Sequence, residues 1–430
     1  MSSRQLHTLK LEKIVGGGQT MGTLEDGRKA FVWGGLPGER VSIVVTKQKR
    51  SFVEGIVEEV IAPSPERIRP LDAESYLSTS PWQIMTFDAE QNYKAELINE
   101  AFAMHGVVLP GKTSVYSDNA TTQYRNKVEF SWYGDEDENG NETLDLAFFR
   151  RGSKGKIPLD QCSLLPQTMM KLALAVSDLL ASKNVSAREL KTVLIRSNQK
   201  GECVWQLYVK EKNTYITADD AATLPALGGE VIYSDPKSPA SKITERIASY
   251  GDIVLEDTLL GVTFRYATEG FFQVNLPVYE QSLRDMQAYI PSQKPVVDMY
   301  SGVGTIGLTI GGETCTLVEI DANAVREMNE NITKLGSNAR AVLAPSEKAL
   351  EHITRDATII VDPPRAGLHK DVITRLLESS PKRIVYLSCN PVTQARDVAL
   401  LMERYTITHH EGYNFFPRTP HIEHLVVLDV

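Results

Sequence analysis

The chain has 430 residues, too many for one ordinary core, so two or three domains are expected. With 42% hydrophobic and 23% charged residues it reads as a soluble globular chain. No apolar run reaches the roughly 18 residues that a helical membrane span needs. The formal net charge of −9 speaks against a uniformly basic nucleic-acid binder, but residues 1–70 hold 11 Lys plus Arg against 8 Asp plus Glu, so the acid excess lies in the remainder and a nucleic-acid partner is not excluded.

The opening segment MSSRQLHTLKLEK lacks the apolar core of a secretory signal. The cysteines Cys162, Cys203, Cys315 and Cys389 are scattered without a C-x-x-C pair, which disfavours both a disulfide framework and a closed zinc site. A cytoplasmic location, no membrane partner and no metal are the expectations.

Residues 4–62 show short alternating runs (LHTLKLEKI, RKAFVWG, ERVSIVVTKQ, FVEGIVEEVI) separated by GGGQTMG, GLPG and KQKRS. Such spacing predicts an OB-like β-barrel of five strands as a first domain, 1–62. Lys47, Lys49 and Arg50 cluster in one connecting turn, compatible with a phosphate backbone or with a solvated hairpin tip. APSPERIRP then reads as a linker. DAEQNYKAELINEAFAM, residues 88–104, carries apolar residues at helical spacing, and this helix is expected to pack on the C-terminal domain. Residues 121–265 mix strands with one clear helix, QTMMKLALAVSDLLASK, giving a central α+β domain over 63–266. DEDENGNE is a polar acidic loop.

From about Ala267 strands and helices alternate: VVDMY, CTLVEID, ATIIVD and RIVYLSC are each followed by a helix or loop. Alternation of this kind means a parallel sheet with helices on both faces, a third domain over 267–430. The terminal YTITHHEGYNFF and IEHLVVLDV read as a closing hairpin, which the methyltransferase version of the fold has and a dinucleotide fold lacks.

Four strand ends carry the chemistry. VVDMYSGVGTIG arrays Gly302, Gly304 and Gly307 as G-x-G-x-x-G, where the backbone can turn tightly against a ligand. The array alone is shared with nicotinamide and flavin enzymes. Glu319 follows Gly302 by 17 residues, placed to accept ribose hydroxyls, which NAD and S-adenosylmethionine need equally. Asp362 ends the next strand in VDPPRAG, where Pro363 and Pro364 stiffen a carboxylate suited to a base-edge N–H. Cys389 ends the following strand in LSCNPVTQARD, just before a helix amino terminus whose dipole favours thiolate. Cys203 and Cys315, inside apolar strands, read as structural.

Together VVDMYSGVGTIG, IIVDPPRAG, LSCNPVTQARD and HIEHLVVL resemble the RNA uracil-5-methyltransferases of the bacterial ribosomal type. FFQVN at Phe271–Asn275, YRNKVEF and the amino-terminal barrel, which looks like a TRAM domain, extend the resemblance over essentially the whole chain. It implies a multidomain enzyme with a TRAM barrel, a central α+β domain and a C-terminal α/β class I methyltransferase domain. It implies S-adenosyl-L-methionine as cofactor, Cys389 as nucleophile and Glu423 as general base. Gln273, Tyr300, Gly302, Gly304, Glu319 and Asp362 match cofactor positions, with Phe271 packing nearby. Gln273 and Asp362 also match substrate positions, and Arg125, Lys47 and Arg50 are assigned to the RNA. His421 and His424, flanking Glu423, are read as orienting or structural.

Ribosomal RNA, the 23S species first, is the expected target because a TRAM barrel accompanies ribosomal-type relatives, with transfer RNA second and a monomer expected. Two departures stand out. Pro345–Ser346–Glu347 replaces the family's adenine-contacting residue. Where some relatives hold an iron–sulfur cluster on four cysteines, YLSTSPWQIM has none and only Cys162 remains, so no cluster is expected.

Three other classes fit the motifs less well. A nicotinamide-dependent oxidoreductase has no use for DPPR and SCNP on successive strand ends. A non-catalytic RNA-binding protein has no use for Cys389 and Glu423 together. An amino-group methyltransferase carries an aromatic residue where Arg365 follows the prolines.

Overall fold

The computed structural model describes residues 6–136, 142–239, 241–291 and 294–430. The acidic loop at 135–142 and the first five residues of the opening segment therefore fall largely or wholly outside the described residues. Residue contacts divide the chain into two compact units, Met1–Ala89 with Ala120–Leu255 and Glu90–Asn119 with Glu256–Val430.

In the first unit, Leu6–Ile14, Thr20–Thr23, Lys29–Trp33, Arg40–Gln48 and Phe52–Ala62 close a five-stranded barrel. Leu9, Leu11, Ala30, Val32, Val41, Ile43 and Val53 fill it, as the period-two alternation of strands requires. The Thr20–Thr23 strand lies within GGGQTMG, a stretch whose glycines read as a turn. Gly22 is needed there because a Cβ would stand 2.6 Å from the Lys10 carbonyl oxygen of the neighbouring strand. The linker is also tied down. Arg67 donates to the buried Glu39 carboxylate at 2.7 Å and to the Gly34 carbonyl at 2.8 Å.

The same unit holds a seven-stranded sheet in the order Glu245–Gly251, Gly228–Tyr233, Cys203–Val209, Leu190–Ser197, Lys127–Tyr133, Asp145–Phe149, Lys156–Pro158. The Gln167–Ser182 helix buries Met169, Leu172, Ala173, Val176 and Leu180, one apolar stripe at helical spacing. They share a core with Phe130, Trp132, Val193, Ile195 and Trp205, and Cys162 and Cys203 are buried in it.

The second unit is built on an eight-stranded sheet: Arg340–Leu343, Thr316–Glu319, Val296–Met299, Thr358–Val361, Arg383–Ser388, Glu423–Asp429, Thr406–Tyr413, Val115–Tyr116. The first five strands are parallel, and Glu423–Asp429 runs antiparallel to both its neighbours. The expected boundary at 266/267 falls inside this unit, which takes in residues 90–119 and 256–266. The reason lies in the core. Ile98, Ala101 and Phe102 of the Phe87–Met104 helix are buried with Val297, Met299, Ile359 and Val426. Asn331 likewise binds both backbone polar groups of Arg265, at 2.8 and 3.1 Å, fixing the Val262–Ala267 strand to the Ala322–Leu335 helix. Among the described residues no helix is long and apolar enough to cross a membrane.

Candidate active site

In a sheet of this order the strands reverse direction of travel between Val296–Met299 and Thr358–Val361, and ligands bind at the carboxyl edge there. The turns after successive strands bring Tyr300–Gly304, Glu319, Asp362 and Cys389 to that edge.

Tyr300, Gly302 and Gly304 all have positive φ (67°, 56° and 89°), so the chain leaves the first strand in a tight left-handed turn. A Cβ on Gly302 would meet nothing within 4 Å, so its ligand side is open, whereas one on Gly304 would stand 2.9 Å from Leu308 Cδ1. Three backbone amides aim Glu319: Gly302 N donates to it at 2.9 Å, Ile320 N and Asp321 N each at 2.8 Å. Ser346 donates to the Tyr300 hydroxyl at 2.8 Å, which gives the departing Pro345–Ser346–Glu347 segment a structural use.

Asp298, at 0% exposure, accepts from Gly307 N at 2.9 Å through one oxygen and leaves the other without a partner. Burial, with the charges of Asp362 and Glu319, raises its carboxyl to about 8. Asn275 caps the Leu276–Gln287 helix, and neither atom of its buried side-chain amide has a partner. One turn on, Tyr279 shares a 2.8 Å hydrogen bond with Thr305 beside the glycine turn. Gln273 is buried two residues before Asn275. Ile320 and Leu343, both more than half exposed, offer apolar surface near Glu319. An open glycine cradle, an orphaned carboxylate oxygen and an orphaned amide fit a ligand carrying a positive centre and a ribose. Asn275, Tyr279, Asp298, Ile320 and Leu343 are not picked out by the sequence. An apolar residue directly after Glu319 is the one local signal available.

Cys389 and Glu423 meet through register. Ser388 pairs with His424 in the antiparallel ladder, so the next step along sets Cys389 opposite Glu423. Directly opposed residues in such a pair project to the same face. His424 therefore points the other way. It is fully buried, 2.7 Å from Gln394 Oε1 and 3.2 Å from His410, and burial holds its pKa well below the usual histidine range. His421 lies 3.0 Å from the Arg365 guanidinium. Glu423, at 4% exposure, is pushed well above the usual carboxylate range by burial and by Asp362. Burial raises Asp362 to about 7.

The position of Cys389 before a helix predicts a lowered thiol pKa, and the structure reverses this. Burial, then the charges of Glu423 and Asp362, push the thiol up to about 11, against a smaller opposing effect of Arg365. Half-buried beside two carboxyl groups, Cys389 rests as a thiol.

The Pro391–Leu401 helix frames these groups. Gln394 donates to Tyr386 O at 3.0 Å and His424 O at 2.9 Å, joining the strands of Cys389 and Glu423. Asp397 accepts from Leu368 N at 2.8 Å and the Tyr386 hydroxyl at 2.9 Å, joining the DPPRAG turn to the same helix. Asn390 and Thr393 donate to Arg365 O at 2.9 and 3.1 Å. Lys94, fully buried with Glu90 at 3.1 Å, donates to Phe416 O at 3.2 Å and so anchors the segment leading to Glu423. Asp397→Ala should cost about 2 to 3 kcal/mol, because the Leu368 amide and the Tyr386 hydroxyl lose the buried carboxylate they donate to. Urea unfolding of the full chain measures it, and a loss under about 1 kcal/mol would show the DPPRAG turn to be held by other means.

Of the residues assigned to RNA, Arg125, Lys47 and Arg50 belong to the first unit. Arg125 is half-buried, its amide donating to Leu164 O at 3.0 Å. Lys47 extends the Arg40–Gln48 strand and is bridged to Glu54 at 2.6 Å, and Arg50 is exposed. Among the described residues no group of three or more His, Cys, Asp or Glu could hold a metal ion.

Comparison with known proteins agrees with this arrangement. A family model described as tRNA (Uracil-5-)-methyltransferase matches residues 318–430. A protein of Lactiplantibacillus plantarum named as an RNA methyltransferase is 30% identical, over 96% of this chain and 94% of its own. One of Nitratidesulfovibrio vulgaris, named likewise, is 25% identical over 94% and 92%. The crystal structure of Pyrococcus abyssi tRNA (uracil-54, C5)-methyltransferase in complex with S-adenosyl-L-homocysteine has the same fold, with a TM-score of 0.79 and 21% identity over 98% of this chain and 100% of that one. On the whole-length match and the family model together, the chain belongs to the RNA uracil-5-methyltransferase family.

Proposed function

We propose that this protein methylates carbon 5 of a specific uridine in RNA with S-adenosyl-L-methionine, through a covalent adduct between Cys389 and C6 that Glu423 resolves. The observation that carries it is the closeness of Cys389, Glu423 and Asp362, whose charges act on the thiol, just beyond the Ser388–His424 pair that ends the antiparallel ladder. Glu319 would hold the ribose, Gly302 and Gly304 admit the backbone-side approach, and Tyr300, Gln273 and Asp298 surround the remainder of the cofactor. When bound, S-adenosyl-L-methionine supplies an electrophilic methyl group on a sulfonium.

Uracil C5 is too weak a nucleophile by itself. The Cys389 thiol gives its proton to water as its sulfur adds to C6, and the electron pair of the C5–C6 double bond moves out to make C5 an enolate carbon; the sulfur takes a proton back when it leaves. Asp362, protonated near neutrality, can donate to a uracil carbonyl oxygen and stabilise that enolate. Once C5 carries the methyl group, Glu423 takes the C5 proton, the double bond re-forms and the sulfur leaves C6. The target uridine has to be turned out of any stack to reach this edge.

For the target we propose ribosomal RNA, with the barrel of residues 6–62 as a TRAM-like RNA-binding domain and Lys47, Arg50 and Arg125 meeting the RNA. Transfer RNA is the second reading, favoured by the names of the family model and of the archaeal structure. The barrel does not separate them, because that transfer-RNA enzyme aligns with 98% of this chain. Mass-spectrometric mapping of 5-methyluridine in RNA from cells lacking the gene decides the matter. Loss of a ribosomal site is the expected result, and loss only from transfer RNA would overturn it.

A further inference from the structure

The hairpin joining Asp145–Phe149 to Lys156–Pro158 packs Arg150, Arg151, Lys154 and Lys156 into seven residues with no acid among them. Within the first unit it is seated on the barrel. The Arg151 guanidinium lies 4.2 Å over the Trp33 ring, its amide donates to Ser78 Oγ at 3.1 Å, and its Nε donates to Leu77 O. A Cβ on Gly152 would stand 2.7 Å from Ile56 Cδ1 and 3.1 Å from Thr46 Cγ2, so the turn touches the strands that lead to Lys47, Lys49 and Arg50.

The cations divide by use. Arg151 is the anchor, Lys156 is given to Trp132 O at 2.6 Å, and Lys47 to Glu54 at 2.6 Å. Arg150, Lys154, Lys49 and Arg50 are exposed and hold no salt bridge among the described residues. Glu54 is neutralised by Lys47, leaving Glu58 and Glu59 as the exposed acids farther along the same strand. Phe149 is 59% exposed, with Lys156 Nζ 5.4 Å from its ring centre. In a chain of net charge −9, four uncompensated cations on two touching segments, one of them carrying an exposed aromatic ring, are a local feature with a use.

We infer that the 149–156 hairpin and the 47–50 turn form one continuous RNA track, in which Arg150, Lys154, Lys49 and Arg50 follow the phosphates and Phe149 stacks an unpaired base. This deepens the proposed RNA reading and depends on it. The partner chemistry is single-stranded or loop RNA, because a stacking platform serves a base only where that base is out of a duplex.

The full-length protein is titrated with a fluorescent 16-nucleotide oligouridine, and with an RNA duplex of the same length, at several KCl concentrations. The Arg150→Ala/Lys154→Ala double variant should lower the slope of log affinity on log salt by about 1.4, near 0.7 for each phosphate of a single strand that is no longer neutralised. Phe149→Ala should weaken oligouridine binding roughly 5- to 100-fold with the slope unchanged, and leave the duplex unaffected. Affinity for S-adenosyl-L-homocysteine should stay at the wild-type value in all variants, and their circular dichroism and urea-unfolding midpoint should match the wild type, which reports that they fold. Wild-type affinity and slope in the double variant would overturn the track, as would equal effects of Phe149→Ala on both RNAs. Poly-L-glutamate bound as tightly as oligouridine would make the surface a site for acidic proteins instead. Failure of the wild-type protein to bind any RNA would count against the proposed function itself.

Discussion

Cys389→Ala is expected to lose methyl transfer by on the order of 10^4-fold or more, with little change in affinity for S-adenosyl-L-homocysteine. Removing a covalent nucleophile abolishes the route it opens, leaving only what binding and orientation contribute. Cys389→Ser should fall nearly as far, since a hydroxyl is harder to ionise than a thiol. The thiol, raised to about 11, is almost wholly protonated at neutral pH, so the reactive thiolate forms only as the sulfur meets its substrate. Target RNA containing 5-fluorouracil tests the step directly. Fluorine at C5 cannot leave as a proton, so the wild-type protein should run with the RNA as one band on a denaturing gel, and Cys389→Ala should not. A wild-type protein that methylates natural RNA yet forms no such band would sink the covalent mechanism.

Glu423→Gln should stop the reaction one step later, cutting turnover by about 10^2- to 10^4-fold, the usual contribution of a general base. An amide cannot take the C5 proton, so the methylated adduct should accumulate on natural RNA without fluorine, and mass spectrometry of the trapped Cys389 peptide would find it. Normal turnover by this variant would mean another group removes the proton. The pH dependence has a definite form. Burial raises Glu423 well above the carboxylate range and Asp362 to about 7, so both are protonated in acid. A base must be ionised to act and Asp362 must keep its proton to donate it, so wild-type turnover should rise with pH from the acid side and fall again, with its maximum where the pair holds one proton. Because the two carboxyls interact, the midpoint read from that rise belongs to the pair.

Much of the site was legible because its residues occur in short contiguous runs. DPPRAG, SCNP and the glycine turn each follow a β-rich run, and a residue after a parallel strand necessarily stands at the sheet's carboxyl edge. The 88–104 helix was legible too, since apolar spacing is a local property. The Thr20–Thr23 strand was not, because its glycines are chosen for closeness to a neighbouring strand that the sequence does not name. Nor were Gln394 and Asp397, whose use lies in what they bind 29 to 30 residues away. The linker behaved similarly. Arg67 reads as a solvated cation until its partner, the buried Glu39, is known.

By itself the amino-acid sequence determined the fold class, the alternation of strands and helices in the C-terminal part, and the residue types that follow its strands, for these depend on local pattern. The resemblance already chose Glu423 within HIEH; the tertiary structure added the physical reason, an antiparallel register that pairs His424 with Ser388 and leaves Glu423 next to Cys389 at the end of the ladder. The tertiary structure also decided the protonation state of Cys389. A helix amino terminus is visible in sequence and favours thiolate. Burial and two opposing carboxyls are not visible there, and at Cys389 they outweigh it, since removing a charge from water and placing it beside like charges costs more than one helix end returns.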